Sequence, residues 1–341
     1  MSCWLKDAGS PPRYCPLTDN ADTSQATEED FAFCRAIAGR ANANLLHAAR
    51  LLPGPRQSFF FATYAAMRLI DDAVDDEFLC RPAPDREKER GAMLADIDHW
   101  QAQCLGEAEK GPLPGTVLRA LQATAHRSDL GDTPWTGLAD AMRRDVREQP
   151  MPGWDDFLSY AAGSTVAPAT IFIYLLGAQP AEGGFSWALP EQPIHYAADL
   201  GIFCYLVHIL RDLAKDAERS ERLVTIPDAL IEHAGLDKAG LSDAIKSRDP
   251  RIAVLASDLR QRAASHLESG RNSLQAFKAL IGRREQLALS GLIGIYESLF
   301  SRFSADYFAG MADAPALEQA LLVIPNMLDA SVVEGTSSDD N

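Results

Sequence analysis

In the stretch FFFATYAAMRLIDDAVDDEF, residues 59–78, a run of mostly apolar residues leads directly into Asp71, Asp72, Asp75 and Asp76. The run has helical periodicity, and so apolar a helix is expected to be buried by its neighbours. Four carboxylates at its end then cost both desolvation and mutual repulsion unless opposite charge is supplied. The arrangement occurs twice: GIFCYLVHILRDLAKDAE, residues 201–218, is a second apolar helix that runs into Asp212 and Asp216. A chain built on these two segments must place both acidic ends where cations can reach them.

The rest of the sequence is also helical in period. EEDFAFCRAIAGRANANLLHAARLL, LADAMRRDVREQ and LASDLRQRAASHLESGRNSLQAF each read as a helix, and runs of alternating β-branched residues are nearly absent. Breaks are expected at LPGPR, RPAPDREKERG, KGPLPGT, DLGDTPWTG, AQPAEGGFSWALPEQP and HAGLDKAG, all rich in Gly, Pro or charge. None resembles a linker between domains. The expectation is one large all-α bundle over residues 26–330 with a central cavity, a loosely ordered segment 1–25, and a disordered acidic tail 331–341.

Hydrophobic residues make up 47% of the chain, but no uninterrupted apolar run approaches the roughly 18 residues needed to cross a bilayer, so a soluble protein without a transmembrane segment is expected. The N-terminal residues lack a basic segment followed by an apolar one, which makes the cytoplasm the expected compartment, with peripheral membrane contact left open. A formal net charge of −16 disfavours nucleic acid as a partner. Six widely spaced cysteines without a CxxC pair fit reduced thiols and not a zinc cluster. Oligomeric state carries no sequence signal.

On a helix, Asp71 and Asp75 share a face with Arg68 and Tyr64, while Asp212 and Asp216 share one with His208 and Tyr205. Arg211 sits beside the second pair much as Arg68 sits beside the first. A single DxxxD is commonly a solvated surface feature; two, each closing an apolar helix, are less easily dismissed. Mg²⁺, or Mn²⁺ as the alternative, prefers oxygen ligands and is usually held by one or two carboxylates plus substrate phosphates. Metal and diphosphate together would relieve the repulsion.

The blocks NLLHAARLLPGPRQSFFFATYAAMRLIDDAVDDE, LADAMRRDV, FLSYAAGSTVAPATIFIYLLGA and LGIFCYLVHILRDLAKDAE…RLVTIPDALIEHAGL resemble, in order and spacing, those of the squalene/phytoene synthases, all-α enzymes that join two prenyl diphosphates head to head. The resemblance runs from about residue 42 to 236. It implies an Mg²⁺-dependent prenyltransferase acting on farnesyl or geranylgeranyl diphosphate, with Asp71, Asp72, Asp75, Asp212 and Asp216 as metal ligands. It also implies Asn44, Arg68 and Arg211 as diphosphate contacts, and Tyr64 and Tyr160 as residues near the reaction centre whose π faces attract a cation. Leaving-group departure would be driven by fixed positive charge.

The second block departs from the family pattern, with Tyr205, Val207, His208 and Lys215 in place of Gln, Thr, Asn and Glu, and Thr225 where a Tyr precedes Leu-Pro. Lys215, three residues after Asp212, could pair with it or contact the diphosphate as a fixed cation. Three readings follow: head-to-head condensation, use of a single prenyl diphosphate by a cyclase or transferase, or a non-catalytic relative acting in protein assembly. There is no glycine-rich nicotinamide fingerprint, and the family can use NADPH without one, so NADPH stays open.

Overall fold

The computed structural model describes residues 26–41, 44–303 and 307–312; the expectations for residues 1–25 and the tail 331–341 fall outside them. The described chain is helical apart from one short hairpin. In order it forms α1 (Glu28–Ala41), α2 (Asn44–Ala49), α3 (Gly54–Asp72), α4 (Ala83–Leu105), α5 (Gly115–Ala123), α6 (Thr133–Val146), α7 (Trp154–Ala161) and α8 (Ala167–Gly177). The hairpin, β1 (Gln179–Ala181) and β2 (Gly184–Ser186), precedes α9 (Pro193–Arg219). The chain continues as α10 (Asp228–His233), α11 (Leu241–Lys246), α12 (Pro250–Lys278), α13 (Arg283–Arg302) and α14 (Tyr307–Ala312).

Prolines set many of the starts. Pro53, Pro82 and Pro114 stand immediately before α3, α4 and α5, and α9 and α12 begin with Pro193 and Pro250, where a missing N–H costs nothing. The expected break at RPAPDREKERG is a correction: α4 begins at Ala83, and the charged residues are its first turns. They are good helix formers, and the pairs Lys88–Asp85 (3.6 Å) and Arg90–Glu87 (3.2 Å) lie at helical spacing. The stretch read as one loop, 178–193, also holds the β1–β2 hairpin, turned through Gly183 at φ 83.

The 27-residue α9 is the central helix, packed against α12 and α8; α3 packs against α1, α5 and α8. Ten consecutive residues of α9, Gly201 to Leu210, are buried. The segments Trp154–Gly177 and Pro193–Arg219 are long and apolar enough to cross a membrane, yet 78% of each apolar window is buried against the bundle. They are core helices here, because neighbouring helices already cover the surface that lipid would need.

Candidate active site

The first acidic motif does not lie on a regular α-helix. After Asp72, α3 widens into a π turn over Ala73–Phe78, closed by the Leu79 N–H donating to the Val74 carbonyl at 2.8 Å. Such single π turns are frequent at functional sites. Asp71 and Asp75 are buried, at 0% and 6% exposure, whereas Asp72 is directed to Arg68, which donates to it. The same guanidinium lies 3.2 Å from Asp71, an ion pair without hydrogen-bond direction, since both Asp71 carboxylate oxygens lack a hydrogen-bond donor. The Tyr64 hydroxyl is likewise buried without a partner.

The second motif continues the inner face of α9. Gly201, Tyr205, His208, Asp212 and Asp216 recur at spacings of three or four, one stripe about 22 Å long at 1.5 Å per residue. Its upper part lines a narrow cavity, about 50 Å³, walled by apolar groups such as Leu45, Phe172, Leu200 and Leu292. That is room for one or two waters, so a larger guest must move side chains. Arg211 grips Asp212 through two hydrogen bonds, 2.8 and 2.6 Å, while one oxygen of Asp216 is buried without a donor. Lys215 is half-buried and makes no ion pair with Asp212; its charge acts on Asp216.

The two motifs meet. Arg219, in the last turn of α9, donates to Asp76 on the π turn at 3.1 Å, tying the acidic end of one helix to that of the other. Asp145, at the end of α6, adds its charge to that of Asp75 in the first motif and accepts a 2.9 Å hydrogen bond from Tyr160. A second π turn, Ala162–Val166, follows Tyr160 and crosses α6 so closely that a Cβ on Gly163 would strike the Gly137 carbonyl. Glycine at 163 therefore allows the approach that seats Tyr160 on Asp145. Tyr205 stacks on Phe157 at 5.8 Å and donates to Thr225 at 2.7 Å.

Electrostatically the site is strained. Burial pushes the Asp71 carboxyl up to about 6, only partly offset by Arg68, and burial with the neighbouring Asp212 does the same for Asp216. Asp75 and Asp145 are raised as well, by burial first. Among the described residues no three carboxylate, thiolate or imidazole groups converge into a ready-made metal centre. The donor chemistry still fits a hard cation, since the buried carboxylate oxygens of Asp71 and Asp216 that lack a hydrogen-bond donor are the oxygen ligands such an ion takes.

Of the residues read from sequence, Tyr64, Arg68, Asp71, Asp72 and Asp75 fall on α3 and its π turn, and Tyr205, His208, Arg211, Asp212, Lys215 and Asp216 on α9. Asn44, buried on α2 with an unpartnered amide nitrogen, and Tyr160 complete the set. Sequence reasoning missed Asp145, Arg219, Ser164, Tyr296 and Tyr307. The buried Tyr307 hydroxyl has no partner and feels the charges of Asp212 and Asp216. Tyr296 and Tyr307 lie in a C-terminal third that reads as generic helix, where an aromatic at helical spacing signals only core.

The solved structures most similar in shape include a dehydrosqualene synthase in complex with ligand, with a TM-score of 0.63 at 17% identity, covering 89% of this chain and 98% of that one. A squalene synthase from Alicyclobacillus acidocaldarius gives a TM-score of 0.58 at 19% identity, covering 82% and 95%. Among characterised sequences, a 15-cis-phytoene synthase of Synechocystis sp. is 22% identical over 284 residues, 81% of this chain and 79% of that protein. Phytoene synthase 1, chloroplastic, of Arabidopsis thaliana is 26% identical over 186 residues, 54% of this chain but 40% of the plant protein. A family model for squalene/phytoene synthase matches residues 39–317, and the chain belongs to that family.

Proposed function

We propose that this protein is a prenyltransferase that ionises prenyl diphosphates, farnesyl or geranylgeranyl, and joins two of them head to head. The observation that carries this reading is the Arg219–Asp76 link, which ties together two buried, under-neutralised carboxylate sets, the second of them one turn along α9 from His208 in the wall of an apolar cavity. A ligand that satisfies such a site is multiply anionic at one end, escorted by cations, and apolar at the other. Mg²⁺ held by Asp71, Asp75, Asp212 and Asp216 would supply the Lewis acidity that draws electrons from the diphosphate.

The chain's own residues do the rest. Arg68 and Arg211 are already paired with motif carboxylates, so they can exchange that pairing for phosphate oxygens once the carboxylates bind cation. The orphaned amide nitrogen of Asn44 and hydroxyls of Tyr64 and Tyr307 are donors that cost energy until an acceptor arrives. Beyond the diphosphate, Tyr160, Tyr205 and Phe157 present aromatic surface that attracts a carbocation and excludes water.

Single-diphosphate chemistry is the second reading, favoured by the small volume of the cavity in this conformation. Purified protein incubated with Mg²⁺ and labelled farnesyl or geranylgeranyl diphosphate separates the two. A C30 or C40 product supports condensation, a cyclised or single-chain product supports the alternative, and no turnover of either substrate contradicts both.

A further inference from the structure

At the inner end of the cavity, four residues before Asp212 on the same stripe of α9, His208 is paired with Tyr296 of α13 across 2.9 Å between the hydroxyl and Nε2. Both line the cavity and both are buried, at 3% and 2% exposure. A core tyrosine and histidine could simply satisfy one another, but this pair is placed where the apolar part of the cavity gives way to the acidic stripe. That is the place where a cation formed on losing diphosphate would sit.

Resting on the prenyl diphosphate reading above, we propose that Tyr296 and His208 form the base that ends the reaction, removing a proton from the final carbocation so that the hydrocarbon gains a C=C bond. The step balances without a redox partner. A C–H bond beside the cationic carbon breaks, and its electron pair becomes the new π bond. The proton passes to the Tyr296 oxygen as the phenolic proton moves to His208 Nε2. The products are a neutral alkene and an imidazolium, which faces the carboxylates one turn further along α9.

Three features of the pair suit this task. Burial, with Arg211 nearby, holds His208 well below its usual range, so the ring is neutral and can share a cavity with a carbocation, whereas an imidazolium would repel it. The proposed step assigns Tyr296 as the donor and Nε2 as the acceptor, which puts the ring proton on Nδ1. A carbocation is so strong an acid that position, not basicity, limits its quenching. Ser164, also in the cavity wall, has a buried hydroxyl with no hydrogen-bond partner and so nothing to take up a proton behind it. The asparagine that the family pattern places at 208 could hold a tyrosine but not accept its proton.

The test uses the full chain with Mg²⁺ and farnesyl or geranylgeranyl diphosphate, with and without NADPH, and reads two quantities: diphosphate released and hydrocarbon formed per diphosphate. Wild type is expected to yield an unsaturated hydrocarbon with no requirement for NADPH. In His208→Asn and in Tyr296→Phe the hydrocarbon formed per diphosphate should fall about a hundredfold or more, the low end of the range for a positioned base, with water-trapped alcohols or a cyclopropyl diphosphate in its place. That ratio is independent of how fast ionisation runs, and melting curves identify a variant that fails to fold. Unchanged ratios in the folded variants overturn the proposal, as does a wild-type hydrocarbon that forms only with NADPH. No diphosphate release by wild type overturns the prenyl diphosphate reading and this proposal with it.

Discussion

Replacing Asp71 by Asn should stabilise the protein while destroying its activity. The Asp71 carboxyl is fully buried, and burial raises it from 3.8 to about 6 despite the Arg68 guanidinium 3.2 Å away. At about 1.4 kcal/mol per pH unit, its ionised form costs the folded state up to about 3 kcal/mol. The sign follows from proton binding: between pH 4 and 6 the folded state holds a proton that the unfolded state has lost. Stability from this group is therefore present in acid and lost as pH rises through about 6. For 341 residues at roughly 2.1 cal/mol/K each, 3 kcal/mol corresponds to about 4 °C in Tm. Melting of wild type and Asp71→Asn in EDTA should show the variant higher by a few degrees at pH 7.5 and equal to wild type at pH 4, whereas product assays with Mg²⁺ show no turnover. A variant that melts lower at pH 7.5, or whose advantage persists at pH 4, would refute the account of a strained acidic site.

Tyr160→Phe removes the 2.9 Å hydrogen bond to Asp145 and should lower stability by about 1–2 kcal/mol in urea unfolding, with a loss of kcat. Tyr307→Phe removes a hydroxyl with no partner, so stability should hold or rise by up to about 1 kcal/mol while KM for the prenyl diphosphate increases; a clear loss of stability would show the hydroxyl to be structural. Lys215 stands where its charge reaches Asp216, so Lys215→Glu should need more Mg²⁺ and show a steeper dependence on it; superimposable titration curves would remove Lys215 from the site.

Much of this site was legible because its parts are local. Asp71 and Asp75, and Asp212 and Asp216, announce themselves by placing charge where apolar periodicity promises burial. The stripe from Tyr205 through His208 to Asp216 follows from helical spacing alone. The π turns at 73–78 and 162–166 were not legible, since a change of hydrogen-bond register in a helix leaves little side-chain signature. RPAPDREKERG misled because proline and charge also begin helices. Asp145 lay in a recognised block, but its role depends on Tyr160, fifteen residues on, and on the glycine contact between α6 and the second π turn. Tyr296 becomes informative only when α13 is packed against α9 and its hydroxyl meets His208.

The claim that both acidic helix ends act together in ionising a prenyl diphosphate is tested most directly by Mg²⁺-dependent release of inorganic diphosphate. The substrates are farnesyl and geranylgeranyl diphosphate, and the proteins are wild type, Asp75→Asn and Asp216→Asn. Release by wild type that requires Mg²⁺ and is abolished in each variant, with the variants still folded, is the predicted result. Undiminished release in either folded variant, or none from wild type, would contradict it.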